Sequence, residues 1–242
     1  DFDLIIHLAA NARVYNLVVD PNLAMDNYLT LFNMLEFWRK NKIKRFIFSS
    51  SREVYGNSEK EVHKEEDAKI EKCESPYTSS KIGGETLIHA YNKCYNIDFI
   101  ILRFSNVYGM YDESDRVVPL FIKLAKQEKN LHVFGKNKML DFTYIDDNIS
   151  GIISSIKNFE EVKNNVFNLG SGKGDSIKDV AKIIKELLGK DVSIILGENR
   201  TGEVVRYISD INKAKEMLNY NPKVEIEEGI KRSIEWYENH VN

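Results

Sequence analysis

The sequence contains little that would place it in a specialised class of protein. Its 242 residues include only two cysteines, Cys73 and Cys94, too few for a disulfide framework and without the spacing of a metal site. We interpret both as reduced packing residues and expect a cytoplasmic protein. Four prolines and 13 glycines exclude collagen-like and low-complexity sequence. The five histidines are scattered without ligand spacing, so no metal site is expected.

Charge and hydropathy exclude further classes. There are 34 basic and 37 acidic side chains, a formal net charge of −3, so we expect neither nucleic acid nor a membrane surface as a partner. No apolar run approaches the ~18–20 residues of a membrane span, and no signal-peptide pattern opens the chain. With 43% hydrophobic residues, the chain can bury a substantial core.

Short apolar runs alternate with longer amphipathic segments. Runs rich in Ile, Phe and Val are typical of strands buried on both faces of a parallel sheet, and they cover residues 4–9, 45–51, 98–103 and 165–169. Helical periodicity is found in residues 20–38, 77–95, 119–128, 145–157, 178–188 and 226–239. This alternation predicts an α/β fold with a doubly wound parallel sheet, into which any second domain must be interleaved.

Three polar motifs follow the predicted strands or begin a helix, and they occupy residues 49–56, 77–81 and 103–109. Ligands of open parallel sheets bind at the carboxyl ends of the strands. Tyr77 and Lys81 are four residues apart, so they share one helix face. A lysine ammonium favours the tyrosine phenolate, and lowering the tyrosine pKa by ~3 units needs roughly 4 kcal/mol.

A serine hydroxyl from the neighbouring strand end can relay the proton taken by such a tyrosine. A lone Tyr-x-x-x-Lys is more often a pair of ordinary helix-surface residues. The three serines at 49–51 before it and the Arg103-x-x-Asn106 sequence after it favour the functional interpretation.

With these motifs the chain resembles the extended short-chain dehydrogenase/reductase family, specifically its nucleotide-sugar epimerases and dehydratases. Further matches are His-Leu-Ala-Ala at 7–10, residues 141–147 for the family's RDFxYVDD, and Arg-Thr-Gly-Glu at 200–203. The resemblance implies a Rossmann-like dinucleotide-binding domain over residues 1–106, with returning segments near 140–170. It implies a smaller nucleotide-sugar-binding domain mainly over residues 107–242.

The resemblance also implies site residues and a cofactor, tightly held NAD. The catalytic residues would be Ser51, Tyr77, Lys81 and Glu53. The residues binding NAD would be Leu8, Ala9, Ala10, Asn27, Ser49, Tyr77, Lys81 and Phe104. The residues binding the nucleotide sugar would be Ser51, Tyr77, Asn106, Val117, Arg200 and Glu203. A homodimer formed through helices 22–40 and 77–95 is expected by the same analogy.

The implied reaction is epimerisation at C4 of a UDP-sugar, such as UDP-glucose or UDP-galactose, through a 4-keto intermediate. Arg52 and Glu53 occupy the positions of the dehydratases' Asp–Glu pair, and an arginine cannot donate a proton. Glu53 leaves a UDP-glucuronate decarboxylase open as an alternative, beside a 4,6-dehydratase. An inactive nucleotide-sugar-binding fragment is the alternative from another class.

Two departures from the family pattern carry expectations of their own. The family's glycine-rich strand–turn–helix would precede Asp1, so we expect an N-terminally truncated Rossmann-like sheet that binds NAD weakly or not at all. The glycine-rich residues 170–175 do not replace it and are expected to form a strand-to-helix turn capped by Asp175 or Ser176. Leu140 stands where the family has an arginine, and Lys136 or Lys138 is expected to take over its phosphate contact.

Overall fold

The structure is a computed structural model that describes residues 2–240. Its strands are β1 (Leu4–His7), β2 (Arg45–Ser51), β3 (Val62–His63), β4 (Asp98–Phe104), β5 (Asn106–Tyr108), β6 (Leu131–Phe134), β7 (Met139–Leu140), β8 (Phe142–Tyr144), β9 (Asn165–Leu169), β10 (Asp175–Ser176), β11 (Ile194–Gly197) and β12 (Arg206–Ser209). Its helices are α1 (Val14–Val19), α2 (Asn22–Lys40), α3 (Pro76–Tyr95), α4 (Val117–Lys126), α5 (Ile145–Lys157), α6 (Phe159–Val162), α7 (Ile177–Leu187), α8 (Asn212–Leu218) and α9 (Ile226–His240). Short 3₁₀ helices cover Arg52–Tyr55, Glu65–Asp67 and Ile70–Lys72.

The central sheet is parallel, in the order β1-β2-β4-β9, and helices cover both of its faces. α2 and α3 pack on one face, where Trp38 and Phe46 are fully buried. α5, α6 and α8 pack on the other, around Phe167 and Leu218. The predicted doubly wound parallel sheet is therefore confirmed, and all four predicted strands are present with ends shifted by at most two residues.

A second lobe is built from the smaller sheets β10-β7-β12-β3, β11-β6 and β5-β8 and from α4, α7 and α9. It is interleaved with the first, because the chain returns to the central sheet at β9 after forming β5–β8. The domain division at residue 106 stays a prediction, and its outer limits, Asp1 and Asn242, lie outside the described residues. No helix within residues 2–240 is long and apolar enough to cross a bilayer.

Several sequence expectations need correction. Helix α2 begins at Asn22 with Pro21 as its N-cap, although the Asp20 side chain accepts a hydrogen bond from the Asn22 backbone N–H at 3.1 Å. Cys73 and Cys94 are both exposed rather than packed in the core, because one lies in a loop and the other on the solvent side of α3. Leu140 lies in the core of the second lobe, where a charged side chain would be costly to bury.

Two glycines allow α2 and α3 to pack closely against each other and against the sheet. A side chain at Gly83 would overlap the Tyr28 ring, with a Cβ only 2.2 Å from its hydroxyl oxygen. At Gly84 a Cβ would lie 2.9 Å from the Leu31 side chain and 3.0 Å from Phe48. Because glycine has no Cβ, α3 can approach β2 at the level of the polar strand end.

Two buried carboxylates of the 141–147 motif, those of Asp141 and Asp147, bind backbone N–H groups of distant segments. Asp141 is fully buried and accepts backbone hydrogen bonds from Ser171 at 2.8 Å, Gly172 at 3.0 Å and Ser209 at 3.2 Å. Asp147 accepts two more from the backbone N–H groups of residues 223 and 224, at 3.0 and 2.8 Å. These carboxylates join the start of β8 and the first turn of α5 to β12 and to loops far away in the sequence.

We predict that Asp141→Asn lowers the free energy of unfolding by about 3 kcal/mol. The substitution replaces one carboxylate oxygen by an NH2 group, which cannot accept a hydrogen bond from the backbone N–H groups that this oxygen binds. Urea unfolding measures the change. Asp146→Asn is the matched control, since Asp146 is exposed in the same motif, and its effect should be below about 0.5 kcal/mol. Equal effects of the two substitutions would contradict the structural role of Asp141.

Candidate active site

The carboxyl ends of β2 and β4 meet at one edge of the sheet, where Ser51 is paired with Phe104. The Ser51 hydroxyl accepts the Glu53 backbone N–H at 3.2 Å and so caps the 3₁₀ helix Arg52–Tyr55. Helix α3 starts beside this end, with Ser75 as its N-cap and Pro76 in its first turn. The strand end and the helix start thus bring Ser51 and Tyr77 into one buried site.

Lys81 lies one helical turn after Tyr77 and points back at the strand end. Its ammonium donates to the Ser49 carbonyl at 2.8 Å and lies 5.8 Å from the centre of the Tyr77 ring. The side chain is 4% exposed, and burial lowers the pKa of Lys81 to about 8. The predicted i, i+4 pair is therefore present and enclosed by protein.

From the sequence we expect Lys81 to lower the pKa of Tyr77, but in the structure this pKa is raised. Burial raises the pKa of Tyr77 to about 12, and the nearby Glu53 carboxylate adds to the rise. A hydrogen bond with Ser51 and the charges of Arg116 and Arg52 act in the opposite direction but are weaker than burial. In this structure desolvation of the phenol therefore outweighs every neighbouring charge.

The residues predicted to bind NAD lie along the same edge of the sheet. Leu8 and Ala9 are exposed in the loop after β1, next to the half-buried Ala10. Asn27 is buried in α2, where it accepts the Asn11 backbone N–H at 2.7 Å and donates to the Asn11 carbonyl at 3.1 Å and to Ser80 at 3.2 Å. Asn27 therefore holds the 8–13 loop against α3 rather than offering free polar atoms.

The group that best fits a dinucleotide is Lys81. An ammonium has three N–H donors, and within residues 2–240 the Lys81 ammonium uses one of them, on the Ser49 carbonyl. Its other donors suit ribose hydroxyls, and the open apolar loop at residues 8–10 suits a flat ring system. The half-buried Phe104 completes this edge from the adjacent strand.

The predicted substrate residues are divided between the site and its rim. Asn106 lies in the site and accepts from the Arg52 guanidinium Nε at 3.0 Å, while Val117 is the half-buried first residue of α4. The Glu203 carboxylate binds the buried Lys138 ammonium at 2.5 Å. Arg200 is exposed at the rim, 4.1 Å from the centre of the Phe134 ring.

Two buried ion pairs in this region were not predicted from the sequence. Arg52 forms a buried ion pair with Glu53, with Nη2 and Oε1 2.7 Å apart. Behind the site, Arg103 makes a two-point ion pair with Glu85, which also accepts from the Ser50 hydroxyl at 2.5 Å. Glu85 could have been found, because it is four residues beyond Lys81 on the same helix face.

Within residues 2–240 there is no group of three or more His, Cys, Asp or Glu side chains that could hold a metal ion. Lys138, which was expected to contact a phosphate, forms an ion pair with Glu203, and its phosphate contact stays a prediction.

Sequence comparison finds relatives over nearly the whole chain. The model of the NAD-dependent epimerase/dehydratase family matches residues 1–170. A UDP-glucuronate 4-epimerase of Thermodesulfobacterium geofontis is 33% identical over 240 residues, which cover 98% of this chain and 73% of the relative. A putative UDP-glucose 4-epimerase of Methanocaldococcus jannaschii is 34% identical over 245 residues, covering 99% and 78%.

Solved structures give the same picture. The UDP-glucuronic acid 4-epimerase of Bacillus cereus, in complex with UDP-glucuronic acid and NAD, superposes with a TM-score of 0.91 at 29% identity, covering 98% of this chain and 76% of that one. The UDP-glucose 4-epimerase of Thermotoga maritima with UDP-glucose has a TM-score of 0.89 at 32% identity, covering 99% and 78%.

We predict that Lys81→Met stabilises the protein near neutral pH and that this gain shrinks as the pH rises. The folded protein has a Lys81 pKa near 8, whereas the unfolded chain has about 10.4, so between these values the unfolded state binds more protons and wild-type stability rises with pH. The gain should fall by about 2 kcal/mol between pH 7 and pH 9.5 in urea unfolding.

The exposed Lys178 on α7 provides the control, since Lys178→Met should give a difference from wild type that does not change over this pH interval. A constant difference for Lys81→Met as well would show that the Lys81 ammonium is not desolvated in the folded protein.

Proposed function

We propose that this chain, which belongs to the NAD-dependent epimerase/dehydratase family, is a nucleotide-sugar 4-epimerase. The resemblance seen in the sequence is thereby confirmed at the level of the family, and NAD is the cofactor of that family. The finer assignment rests on one observation. Ser51, Tyr77 and Lys81 converge in one buried site at the carboxyl end of the sheet.

In the proposed reaction the Tyr77 phenolate accepts the proton of the sugar C4 hydroxyl while the C4 hydride leaves. NAD, when bound, supplies the hydride acceptor and a positive ring charge near the phenol. The Ser51 hydroxyl, which is near enough to Tyr77 to lower its pKa, orients the same sugar oxygen and relays its proton. The Lys81 ammonium lies 5.8 Å from the centre of the Tyr77 ring and holds the ribose through the donors that Ser49 leaves free.

The raised pKa of Tyr77 sets a requirement for this mechanism. Forming the phenolate at pH 7 from a phenol with a pKa of about 12 costs about 7 kcal/mol. Lys81, with a pKa of about 8, is mostly protonated at that pH and opposes the cost. We infer that Tyr77 becomes a base only when a second positive charge adjoins it.

Epimerisation follows because only the nucleotide half of the substrate needs to stay fixed. The 4-keto sugar can rotate and receive the hydride on its other face, after which Tyr77 returns the proton. Binding energy from the nucleotide then holds the intermediate without entering the chemistry. UDP-glucose and UDP-galactose are the substrates we propose.

The alternative activities are decarboxylation of a UDP-glucuronate and 4,6-dehydration, both of which need an acid or base near the sugar. The position of Glu53 favours them, since its carboxylate is near enough to Tyr77 to raise the pKa of the phenol. Its ion pair with Arg52 disfavours them, because an ionised carboxylate has no proton to donate. Release of carbon dioxide or water from the sugar would establish one of these alternatives.

We predict that Tyr77→Phe lowers kcat for interconversion of UDP-glucose and UDP-galactose by at least ~100-fold, because the proton acceptor is lost. Product analysis by NMR, with NAD added, measures the rate. Tyr95→Phe at the exposed end of α3 is the matched control and should keep the wild-type rate. A wild-type protein that binds these sugars without converting them would instead favour the inactive binding module.

A homodimer through α2 and α3 is proposed on the exposed apolar face of these helices. Met25, Leu29 and Phe32 recur at helical spacing on α2 and are 57%, 56% and 45% exposed. Beside them a groove of about 410 Å³ is lined by α2, α3 and the preceding loop, mostly with apolar surface. A second copy of the same face would bury both. A cytoplasmic location stays a prediction from the cysteine content.

We predict that Leu29→Asp converts a dimer to a monomer in size-exclusion chromatography with light scattering, because it places a charge in the apolar interface. Ile153→Asp is the control, since Ile153 is 44% exposed on α5, on the opposite face of the sheet. A wild-type monomer at micromolar concentration, or dissociation by Ile153→Asp, would contradict the proposed interface.

A further inference from the structure

Two buried side chains and one half-buried side chain near Ser51 form a polar group that the proposed mechanism does not use. Arg52 and Glu53 follow Ser51 in the chain and are 7% and 3% exposed. Their ion pair is 2.7 Å long, and Arg52 also donates from Nε to the Asn106 amide oxygen at 3.0 Å. We call Arg52, Glu53 and Asn106 the Arg52 cluster.

Each member of the Arg52 cluster keeps one buried polar atom without a hydrogen-bond partner among residues 2–240. These atoms are Arg52 Nη1, Glu53 Oε2 and Asn106 Nδ2. Buried polar groups are nearly always hydrogen-bonded, because leaving one unpaired costs free energy. Three such atoms in one small group therefore indicate a ligand that supplies the missing partners.

The cluster adjoins Ser51, because Arg52 and Glu53 follow it in the chain and Asn106 is two residues beyond Phe104, the register partner of Ser51. The charges of both Glu53 and Arg52 reach Tyr77, where they act on its pKa in opposite directions. The same two charges act on Lys138, which is held by Glu203 at the other side. The charges of the Arg52 cluster are therefore felt both by the phenol and by the Lys138 ammonium.

The unpartnered atoms are two donors, from Arg52 and Asn106, and one acceptor, from Glu53. A sugar hydroxyl accepts and donates at once, so it can satisfy both kinds of atom. An ionised carboxylate accepts only, and it would face the unpartnered Glu53 oxygen, an arrangement of like charges. We propose that the Arg52 cluster binds hydroxyl groups of a neutral nucleotide-linked hexose and discriminates against a hexuronate.

A buried arginine would by itself suggest a carboxylate ligand, but Arg52 is already neutralised by Glu53. The other arginine whose charge reaches Tyr77, Arg116, is exposed, where solvent screens its charge. Specificity therefore depends on Glu53: its carboxylate cancels the Arg52 charge and repels an anion. This inference rests on the proposed function, since it concerns the sugar that Tyr77 would deprotonate.

Isothermal titration of UDP-glucose and UDP-glucuronate into the NAD-loaded protein tests the proposal, in a Tyr77→Phe background that blocks turnover. We expect the Kd of UDP-glucuronate to exceed that of UDP-glucose by at least ~10-fold, because of repulsion by Glu53. Adding Glu53→Gln keeps the shape but leaves Arg52 as a net positive charge, so the ratio should fall by at least ~10-fold. Glu228→Gln, an exposed acid on α9, is the matched control and should leave the ratio unchanged.

Equal or tighter binding of UDP-glucuronate, or a ratio that Glu53→Gln does not move, would overturn the proposal. If Glu53→Gln fails to fold, the ratio in the protein with Glu53 present still decides it. Preference for UDP-glucose without any C4 interconversion by the protein with Tyr77 present would overturn the proposed function alone. Binding of neither compound would overturn both.

Discussion

The close packing of α3 against the carboxyl end of β2 is the constraint on which the site depends. Gly83 and Gly84 remove the side chains that would keep the helix away from Tyr28 and Phe48. At that separation the Lys81 ammonium reaches the Ser49 carbonyl, and Tyr77 reaches Ser51. A helix only a methyl group further from the sheet would separate these atoms.

The same packing removes water from the phenol and the ammonium, and their pKa values move apart. Tyr77 moves up and Lys81 moves down, because desolvation disfavours the charged form of both groups. The protein thus holds a neutral phenol beside an ammonium that loses its proton easily. Further positive charge at this site then acts in a low-dielectric environment, where it has a large effect on the phenol.

Much of the fold was predictable because buried parallel strands and amphipathic helices leave strong periodic patterns. Ser51, Tyr77 and Lys81 were predictable because their order along the chain follows strand ends and helix starts. The direction of the Tyr77 pKa shift was not, since it depends on how tightly tertiary packing encloses the ring. The Arg52–Glu53 and Lys138–Glu203 pairs were missed for the same reason, as spacing says nothing about which charges meet when buried. The contact of Glu65, which accepts the Asn168 backbone N–H at 2.8 Å, was not predicted either.

The central claim, that Tyr77 takes a proton while a hydride leaves and returns at the same carbon, is tested most directly by isotope tracing. UDP-glucose carrying deuterium at C4 would be converted by the protein with NAD in unlabelled water. The account predicts UDP-galactose that keeps deuterium at C4, because the hydride never exchanges with solvent. Loss of deuterium from C4, or appearance of the label at another carbon, would contradict it.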